Sequence, residues 1–382
     1  MSSRPRARAL GLDSLWQLPP GPLNAITDVA GVRVGHATVW FGEGALHPGQ
    51  GPARTGVTVI LPHTGNLFTA KVAAAAHTIN GYGKACGFEQ VRELGEIETP
   101  IALTNTLNVW RVADALVDHA LQANPAIGID VSTVNPVVGE CNDGYLNDIQ
   151  GRHVTAAHVQ QALATASNGP VAEGAVGAGT GTTCYGWKGG IGTASRITLA
   201  ANGGFTLGAL VQTNFGRPEE LRFGDAWVGR HLRPPTPSVT TRGSVMVVLA
   251  TDAPLDARQL HRLCVRAGAG LARTGATIGH GSGDFVIAFS TTWCSRCAAP
   301  SVLSATQTIS DEAAIMEELF PAVVEAVEEA VLNSLCAAET VWGRDGHVRY
   351  ALPVVEMATW LAARVSAHGT SGVVNSSRKH PK

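Results

Sequence analysis

Length, composition and charge exclude several classes of protein. The chain has 382 residues, of which 45 % are hydrophobic, 15 % are charged and 44 are glycine. This apolar fraction is ample for a large buried core. A formal net charge of −2 gives no electrostatic basis for binding nucleic acid or an anionic membrane. The longest apolar runs, such as residues 245–250, are far shorter than the ~20 residues of a membrane span.

The N-terminus and the cysteines bear on location and metal binding. The first residues are basic, and no apolar stretch of signal-peptide length follows them, so we expect a cytoplasmic protein. The seven cysteines are scattered, which predicts reduced, buried thiols. Cys294 and Cys297 have the spacing of a metal-binding pair, but no second pair with matching spacing accompanies them. The sequence predicts no metal and no cofactor.

In chain order, the first half predicts strands and two helices. Residues 1–24 are rich in proline and glycine and predict a lightly anchored arm. The alternating segment 24–36 predicts a strand with turns at its glycines. Further predictions are strands at 55–61, 101–104 and 136–140, a strand or helix at 70–78, and helices at 107–123 and 153–167.

The second half contains the strongest buried strands. Eight glycines crowd residues 174–192, and residues 215–242 predict a polar, exposed connector. Predicted strands follow at 195–200, 205–213, 245–250 and 285–290, with helices starting near Asp252, at Ser310 and at Val354. Strands and helices come in blocks rather than in alternation, which favours layered α+β packing over a doubly wound sheet.

The glycine-rich run does not fit a nucleotide-binding loop. Such a loop has Ser or Thr after its lysine at the start of a helix, whereas Gly189 follows Lys188 and no helical pattern comes next. We therefore expect a tight structural or substrate-lining loop.

Ser244 is a candidate nucleophile because it stands at the start of a buried strand. The preceding Gly243 has no Cβ, so its carbonyl can be approached closely. Attack of the Ser244 hydroxyl on that carbonyl would cut the chain and leave a free α-amine with a pKa of ~8, able to act as a base for its own hydroxyl. An ordinary turn residue ahead of a strand is the alternative.

A second candidate, His280-Gly-Ser282-Gly-Asp284, precedes the next buried strand. In an extended chain, Ser282 and Asp284 lie on one face, so that the carboxylate can hold the hydroxyl. A glycine-rich turn is the alternative, and no nucleophile elbow supports His280 as a triad histidine. Polar residues also follow other predicted strands, in the segments 140–145 and 212–216.

Taken in order, these segments resemble the family of L-aminopeptidase D-Ala-esterase/amidases and β-peptidyl aminopeptidases. The segments that carry the resemblance are NAITDVAGVRVGH (24–36), TNT (104–106), VGECNDGYLND (138–148), GAGTG (177–181), KGGIGTASR (188–196), VQTNFG (211–216), GS (243–244), TDAPL (251–255) and HGSGD (280–284). The resemblance implies a four-layer α/β/β/α sandwich, similar in plan to N-terminal nucleophile hydrolases but differently connected. It also implies one catalytic domain over residues 1–382 that cuts itself between Gly243 and Ser244, into chains 1–243 and 244–382.

The resemblance further implies a role for each matching residue. Ser244 matches the nucleophile, and Ser282 and Asp284 match the pair that supports it, although relatives can carry Glu at the second position. The other matches are Asn214 and Tyr145 for the oxyanion hole and Glu140 for the substrate ammonium. The implied substrate is a small peptide, amino-acid amide or ester, cleaved by a cytoplasmic homo-oligomer without a cofactor.

Two alternatives remain open at this point. Ornithine acetyltransferases share the fold and also cut themselves, but before a threonine, so Ser244 favours hydrolysis over acetyl transfer. A non-catalytic binding protein that kept only the fold is the other alternative. The presence of all the matching site residues together disfavours it.

Overall fold

Two β-sheets stacked face to face form the centre of the computed structural model, which describes residues 4–236, 243–296 and 307–369. The strands are β1 (Arg33–Phe41), β2 (Ala53–Leu61), β3 (Ala70–Gly81), β4 (Glu96–Ile97), β5 (Ile101–Asn105), β6 (Val137–Cys141), β7 (Thr183–Cys184), β8 (Trp187–Lys188), β9 (Ile191–Ile197), β10 (Thr206–Asn214), β11 (Ser244–Thr251), β12 (Gly283–Arg296), β13 (Val341–Trp342) and β14 (Val348–Arg349). The α-helices are α1 (Phe88–Leu94), α2 (Val109–Ala123), α3 (Ala156–Ala164), α4 (Val228–His231), α5 (Ala257–Arg273), α6 (Ile315–Ala337) and α7 (Val354–Gly369).

Both sheets are mixed. The four-stranded sheet has the order β1-β2-β5-β6, in which only β5 and β6 are parallel. The six-stranded sheet has the order β4-β3-β12-β11-β10-β9, in which only β11 and β12 are parallel. The hairpins β7–β8 and β13–β14 lie outside these sheets. Because β11 and β12 are central and parallel, Ser244 and Gly283 begin their strands side by side.

Alternating side chains divide the core into layers. On β11, Met246 and Val248 pack toward the four-stranded sheet, whereas Val245 and Val247 pack toward α5 and α6. Helices α2 and α3 cover the outer face of the four-stranded sheet, around Val59. The predicted α/β/β/α sandwich is therefore confirmed, as an α+β fold with mixed sheets.

Gly139 explains how closely the two sheets approach near Ser244. A Cβ on Gly139 of β6 would lie 2.4 Å from Cε and 2.7 Å from Sδ of Met246 on β11, so the Met246 side chain would have to move to make room. Glycine at this position lets β6 pack directly on β11. The segment that follows Gly139 is thereby brought to the N-terminal end of β11.

The N-terminal arm is anchored, contrary to the prediction. Ala7, Leu12 and Trp16 are buried in the core beneath α6, and the Trp16 indole N–H donates to Glu328 over 3.0 Å. The predicted strand at 24–36 is also wrong in its first part. A short 3₁₀ turn occupies Ile26–Asp28, and the strand begins only at Arg33.

Other boundaries differ from the sequence prediction for local reasons. The strand expected at 195–200 is β9, which begins at Ile191 because the glycine run ends in a hairpin and a strand rather than in a loop. Helix α5 begins after Asp256, whose carboxylate accepts from the backbone N–H of Gln259 over 2.7 Å. The connector buries Leu221 and Phe223 and is therefore not wholly exposed, and its last residues, 237–242, lie outside the described part.

None of the helices within 4–236, 243–296 and 307–369 is long and apolar enough to cross a bilayer.

Candidate active site

Ser244 lies at the meeting point of three strands. In the six-stranded sheet it pairs with Asn214 of β10 on one side and with Gly283 of β12 on the other. Its side chain is buried, and its Oγ accepts from the backbone N–H of Asn142 and from Nδ2 of Asn214, each over 3.3 Å. Two donors thus converge on one hydroxyl. An oxyanion formed on a carbon attached to this oxygen would lie beside the same donors.

Ser282 and Asp284 form a buried pair next to Gly243. The Ser282 hydroxyl donates to Oδ1 of Asp284 over 2.7 Å, and Oδ2 of the same carboxylate is buried without a hydrogen-bond partner. A Cβ placed on Gly243 would lie 3.0 Å from the Ser282 Oγ. The pair therefore stands beside the peptide bond that precedes Ser244.

Burial makes Asp284 a weaker acid than usual. Desolvation raises its pKa to about 6, and the hydrogen bond from Ser282 and the backbone N–H of Val245 offset part of that shift. A carboxyl with this pKa changes its charge in a range where hydrolases operate. The ionised carboxylate can only accept hydrogen bonds and so holds the Ser282 hydroxyl as a donor, which means that the charge of Asp284 controls the orientation of that hydroxyl.

A hydrogen bond from Thr183 orients the side chain of Asn214, and Arg349 connects Thr183 to Tyr145. The backbone N–H of Thr183 donates to Oδ1 of Asn214 over 3.1 Å, which leaves Nδ2 directed at Ser244. Nε of Arg349 donates to the Thr183 hydroxyl over 3.3 Å, and the Arg349 guanidinium lies 3.6 Å from the centre of the Tyr145 ring. Tyr145 therefore connects to the site through Arg349.

Glu140 is buried at the end of β6. Its Oε1 accepts from the backbone N–H of Lys84 over 3.1 Å, and its Oε2 accepts from the Thr106 hydroxyl. Burial raises the pKa of Glu140, while these two hydrogen bonds offset part of the shift. Glu140 lies two residues before Asn142, whose N–H contacts Ser244, so its carboxylate belongs to the same end of the sandwich.

Sequence reasoning missed several groups around Ser244. The backbone N–H groups of Asn142 and Thr183 cannot be found from residue type, because every residue except proline carries one. The sequence predicted Cys141 only as one of the reduced, buried thiols. It donates to the Gln212 carbonyl over 3.3 Å and also hydrogen-bonds with Ser244, and burial raises its pKa well above the usual value.

The remaining sequence candidates lie elsewhere or outside the described residues. His280 is exposed, and its carbonyl accepts from the Asn80 side chain over 3.1 Å. Cys297 lies outside the described residues, so the structure does not test whether Cys294 and Cys297 come together. Within the described residues, no three His, Cys, Asp or Glu side chains come together as a metal site.

The chemistry available at this site is acyl transfer to a serine. The buried Ser244 hydroxyl accepts from two N–H donors, the Ser282 hydroxyl bound to Asp284 lies beside Gly243, and the Glu140 carboxylate lies at the same end of the sandwich. These groups meet the needs of a nucleophile and an oxyanion hole.

Comparisons with known proteins agree with this assignment. The family model for Peptidase family S58 matches residues 24–349. The beta-peptidyl aminopeptidase BapA of Sphingosinicella xenopeptidilytica is 42 % identical over 377 residues, which cover 94 % of this chain and 92 % of the relative. The crystal structure of the PH0078 protein from Pyrococcus horikoshii OT3 is 47 % identical, with a TM-score of 0.89 over 94 % of this chain and 99 % of that one.

A further solved structure describes the fold. The L-aminopeptidase D-Ala-esterase/amidase of Ochrobactrum anthropi is 40 % identical, with a TM-score of 0.86 over 96 % of this chain and 99 % of that one. It is described as a prototype for the serine aminopeptidases and as a new variant among the Ntn hydrolase fold. The fold and site of the present chain are those of a peptide hydrolase with a serine nucleophile.

More narrowly, the chain belongs to peptidase family S58. The resemblance drawn from the sequence motifs is therefore confirmed. The family and these relatives support an aminopeptidase function, and they do not favour acetyl transfer.

Proposed function

We propose that this aminopeptidase matures by cutting itself between Gly243 and Ser244, and that Ser244 then serves as an N-terminal nucleophile. The observation that carries the proposal is the position of Ser244, at the first residue of β11 with two N–H donors on its Oγ. The carbonyl oxygen of Gly243 accepts from the backbone N–H of Gly283 over 3.2 Å. This donor polarises the carbonyl that the Ser244 hydroxyl would attack.

Maturation then proceeds in two steps. The Ser244 Oγ adds to the Gly243 carbonyl carbon, and the C–N bond breaks as the nitrogen takes up a proton, which gives an ester and a free α-amine on Ser244. Water then hydrolyses the ester, releasing the Gly243 carboxylate and restoring the hydroxyl. The products are chains 1–243 and 244–382, which the buried strands on both sides of the cut hold in one core.

The same groups serve the peptidase reaction. The neutral α-amine of Ser244 takes the hydroxyl proton as Oγ attacks the scissile carbonyl, and Nδ2 of Asn214 with the Asn142 N–H stabilises the oxyanion. We assign Tyr145 to the support of this oxyanion hole, through Arg349. The proton then passes to the leaving amine, and water hydrolyses the acyl-enzyme. Each proton and bond is accounted for without a cofactor.

We assign Ser282 and Asp284 to the α-amine. They stand beside Gly243, whose carbonyl is bonded to the Ser244 nitrogen, so the Ser282 hydroxyl lies where that nitrogen becomes free. The ionised carboxylate accepts a hydrogen bond from the Ser282 hydroxyl, whose oxygen is then free to accept one from the amine. This arrangement keeps the lone pair of the amine available to the Ser244 hydroxyl.

We assign Glu140 to the ammonium group of the substrate. A carboxylate buried at the site is the natural partner of a free N-terminal amine, because pairing compensates the desolvation of both charges. The compared proteins are named for β-peptidyl, L-amino and D-alanyl substrates. We propose a small peptide, amide or ester with a free amine as the substrate class.

We further propose that the cleaved units form a homo-oligomer in the cytoplasm. The exposed side chains Trp40, Trp110 and Trp342 offer the aromatic surface that is common in protein–protein contacts. The described cysteines Cys86, Cys141, Cys184, Cys264 and Cys336 are free thiols, as is usual in a reducing compartment. Light scattering and cell fractionation test these two points.

Mass spectrometry of wild type and Ser244→Ala tests the central proposal. The wild type should give chains that end at Gly243 and begin at Ser244, with turnover of aminoacyl p-nitroanilides. Ser244→Ala should give one uncut, inactive polypeptide with the same circular dichroism. Cleavage in the alanine variant, or activity of its uncut chain, would overturn the proposal.

A further inference from the structure

Lys188 is a fully buried amine next to the support of the oxyanion hole. Its Nζ donates to the carbonyl oxygens of Gly179, Thr182 and Gly189 over 2.9, 2.9 and 2.8 Å. These three bonds use all the donors of an ammonium group. Lys188 also pairs directly with Thr183 across the β7–β8 hairpin. A buried cation is costly unless it serves as a donor to well-placed oxygens, so this site is built around a charge.

One peptide group links Lys188 to Asn214. Its carbonyl, on Thr182, accepts from the Lys188 ammonium, and its N–H, on Thr183, donates to Oδ1 of Asn214 over 3.1 Å. The amide of Asn214 in turn donates through Nδ2 to the Ser244 Oγ over 3.3 Å. A positive charge thus stands at the far end of two amide groups aligned head to tail. Such chains polarise each bond in turn, which strengthens the last donor.

We propose that Lys188 is a positioning residue for the reaction: its ammonium fixes and polarises the Thr182–Thr183 peptide, and thereby orients and strengthens the Asn214 donor. This inference rests on the proposed function, since it gives Lys188 a role only if Asn214 stabilises the oxyanion at Ser244. No contact of Lys188 with the substrate is required. Its effect therefore appears in the chemical step rather than in substrate binding.

The surroundings of Lys188 are consistent with a charged amine near neutral pH. Burial lowers its pKa to about 7, and the nearby Cys184 and Asp143 favour its charged form. Burial also raises the pKa of Asp143 to about 7, where hydrogen bonds from Thr55, Asn147 and Asn105 favour its ionised form. Both groups therefore change charge in the same range of pH.

Two neutral substitutions test the proposal. Lys188→Met keeps an unbranched side chain only one atom shorter and removes the charge, and Lys188→Gln keeps a donor for one carbonyl. On mature enzyme, each should lower kcat for an aminoacyl p-nitroanilide about tenfold, less than the ~10²–10³ expected for removing an oxyanion donor outright. KM should stay within about twofold. Arg196→Met is the matched control, since it also removes a fully buried cation, in strand β9 away from Ser244, and should leave kcat unchanged.

A double-mutant cycle with Asn214→Ala separates this role from a structural one. If Lys188 acts through Asn214, Lys188→Met should change kcat less than twofold in the Asn214→Ala background. An unchanged kcat in the Lys188 single variants, or full additivity with Asn214→Ala, would overturn the inference while leaving the proposed function intact. An Asn214→Ala enzyme with wild-type kcat would instead overturn the role of Asn214, and the inference with it.

If neither Lys188 variant folds, the pH dependence of kcat tests the role of Lys188 instead. The ratio of wild-type kcat to the kcat of Asn214→Ala should fall as pH rises through about 7, because Lys188 then loses its proton, whereas the Ser244 α-amine titrates alike in both enzymes. Parallel profiles in the two enzymes would contradict the inference.

Discussion

The backbone N–H of Gly283 donates to the carbonyl oxygen of Gly243 over 3.2 Å, so the carbonyl ahead of Ser244 is held by the strand next to it. This contact follows from the parallel pairing of β11 and β12, which start side by side at Ser244 and Gly283. The same turn carries Ser282, whose hydroxyl lies beside Gly243. The proposed cleavage site and its supporting pair are thus positioned by one strand register.

Gly283→Ala should slow self-cleavage strongly. A Cβ on Gly283 would lie 2.8 Å from Cα of Gly83, so the turn must shift and carry the N–H away from the Gly243 carbonyl. Gly279→Ala is the matched control in the same turn, because a Cβ there meets nothing within 4 Å. Conversion of precursor made by cell-free synthesis, followed on denaturing gels, measures the effect. Equal rates for the two variants would show that this donor is dispensable.

Maturation should slow as pH falls below about 6. Asp284 has a pKa raised to about 6, and its ionised form accepts a hydrogen bond that orients the Ser282 hydroxyl beside the Gly243–Ser244 peptide to be cut, so protonation at lower pH removes that orientation. The precursor has no free Ser244 amine, so titration of that amine does not contribute to the pH dependence of self-cleavage. Asp284→Asn should cleave itself slowly at every pH. Asp284→Glu should again show a cleavage rate that falls at low pH. A wild-type rate that is constant from pH 5 to 8 would contradict this role.

The melting temperature of Asp284→Asn should show whether the Asp284 carboxylate serves the reaction or the stability of the fold. A carboxyl whose pKa rises on folding, from ~3.9 to about 6, destabilises the folded state increasingly as pH rises through that interval. The neutral amide removes this cost. In the uncut Ser244→Ala chain, Asp284→Asn should therefore melt no lower than the same chain with Asp284 at pH 7.5. Differential scanning calorimetry measures both melting temperatures.

The sequence predicted the layered fold and the place of Ser244 because both depend on local patterns. Continuous apolar runs mark β11 and β12 as buried strands, and Gly243 marks the start of β11 at Ser244. The link between Lys188 and Asn214 was beyond prediction, because it passes through a backbone peptide and depends on how a hairpin folds back onto β10. The anchored N-terminal arm was missed because its partner, Glu328, lies 312 residues away.

Glu140→Gln should raise KM for substrates with a free amine far more than it lowers kcat. The amide keeps the volume and still accepts from Thr106 or Lys84, but it loses the charge that pairs with an ammonium. N-acetylated substrate should not be turned over by wild type. Glu98→Gln is the control, a buried carboxylate paired with Lys71 over 2.6 Å. Similar turnover of blocked and free substrates would exclude recognition of the amine.

Arg196→Met should cost stability without impairing chemistry. The Arg196 guanidinium is fully buried and forms ion pairs with Glu325 and Glu329 over 2.9 and 2.8 Å. Removing one partner of a buried network leaves uncompensated charge, which typically costs about 3–5 kcal/mol. Urea unfolding should show this loss, and kcat per cleaved chain should equal that of wild type. A change in kcat would mean that α6 communicates with the site.

The kcat values of Asn214→Ala and Asn214→Asp should follow an order that a purely structural role of Asn214 cannot produce. Loss of the Nδ2 donor should lower kcat by ~10²–10³, with little change in KM. The aspartate is isosteric and would be milder than alanine if Asn214 only filled space. If Asn214 is an oxyanion donor, however, the aspartate would replace that donor with a negative charge beside the Ser244 Oγ, and so be at least as damaging. Steady-state kinetics on the cleaved fraction of each variant, counted by mass spectrometry, measures this order. An aspartate enzyme more active than the alanine enzyme would refute the assignment of Asn214.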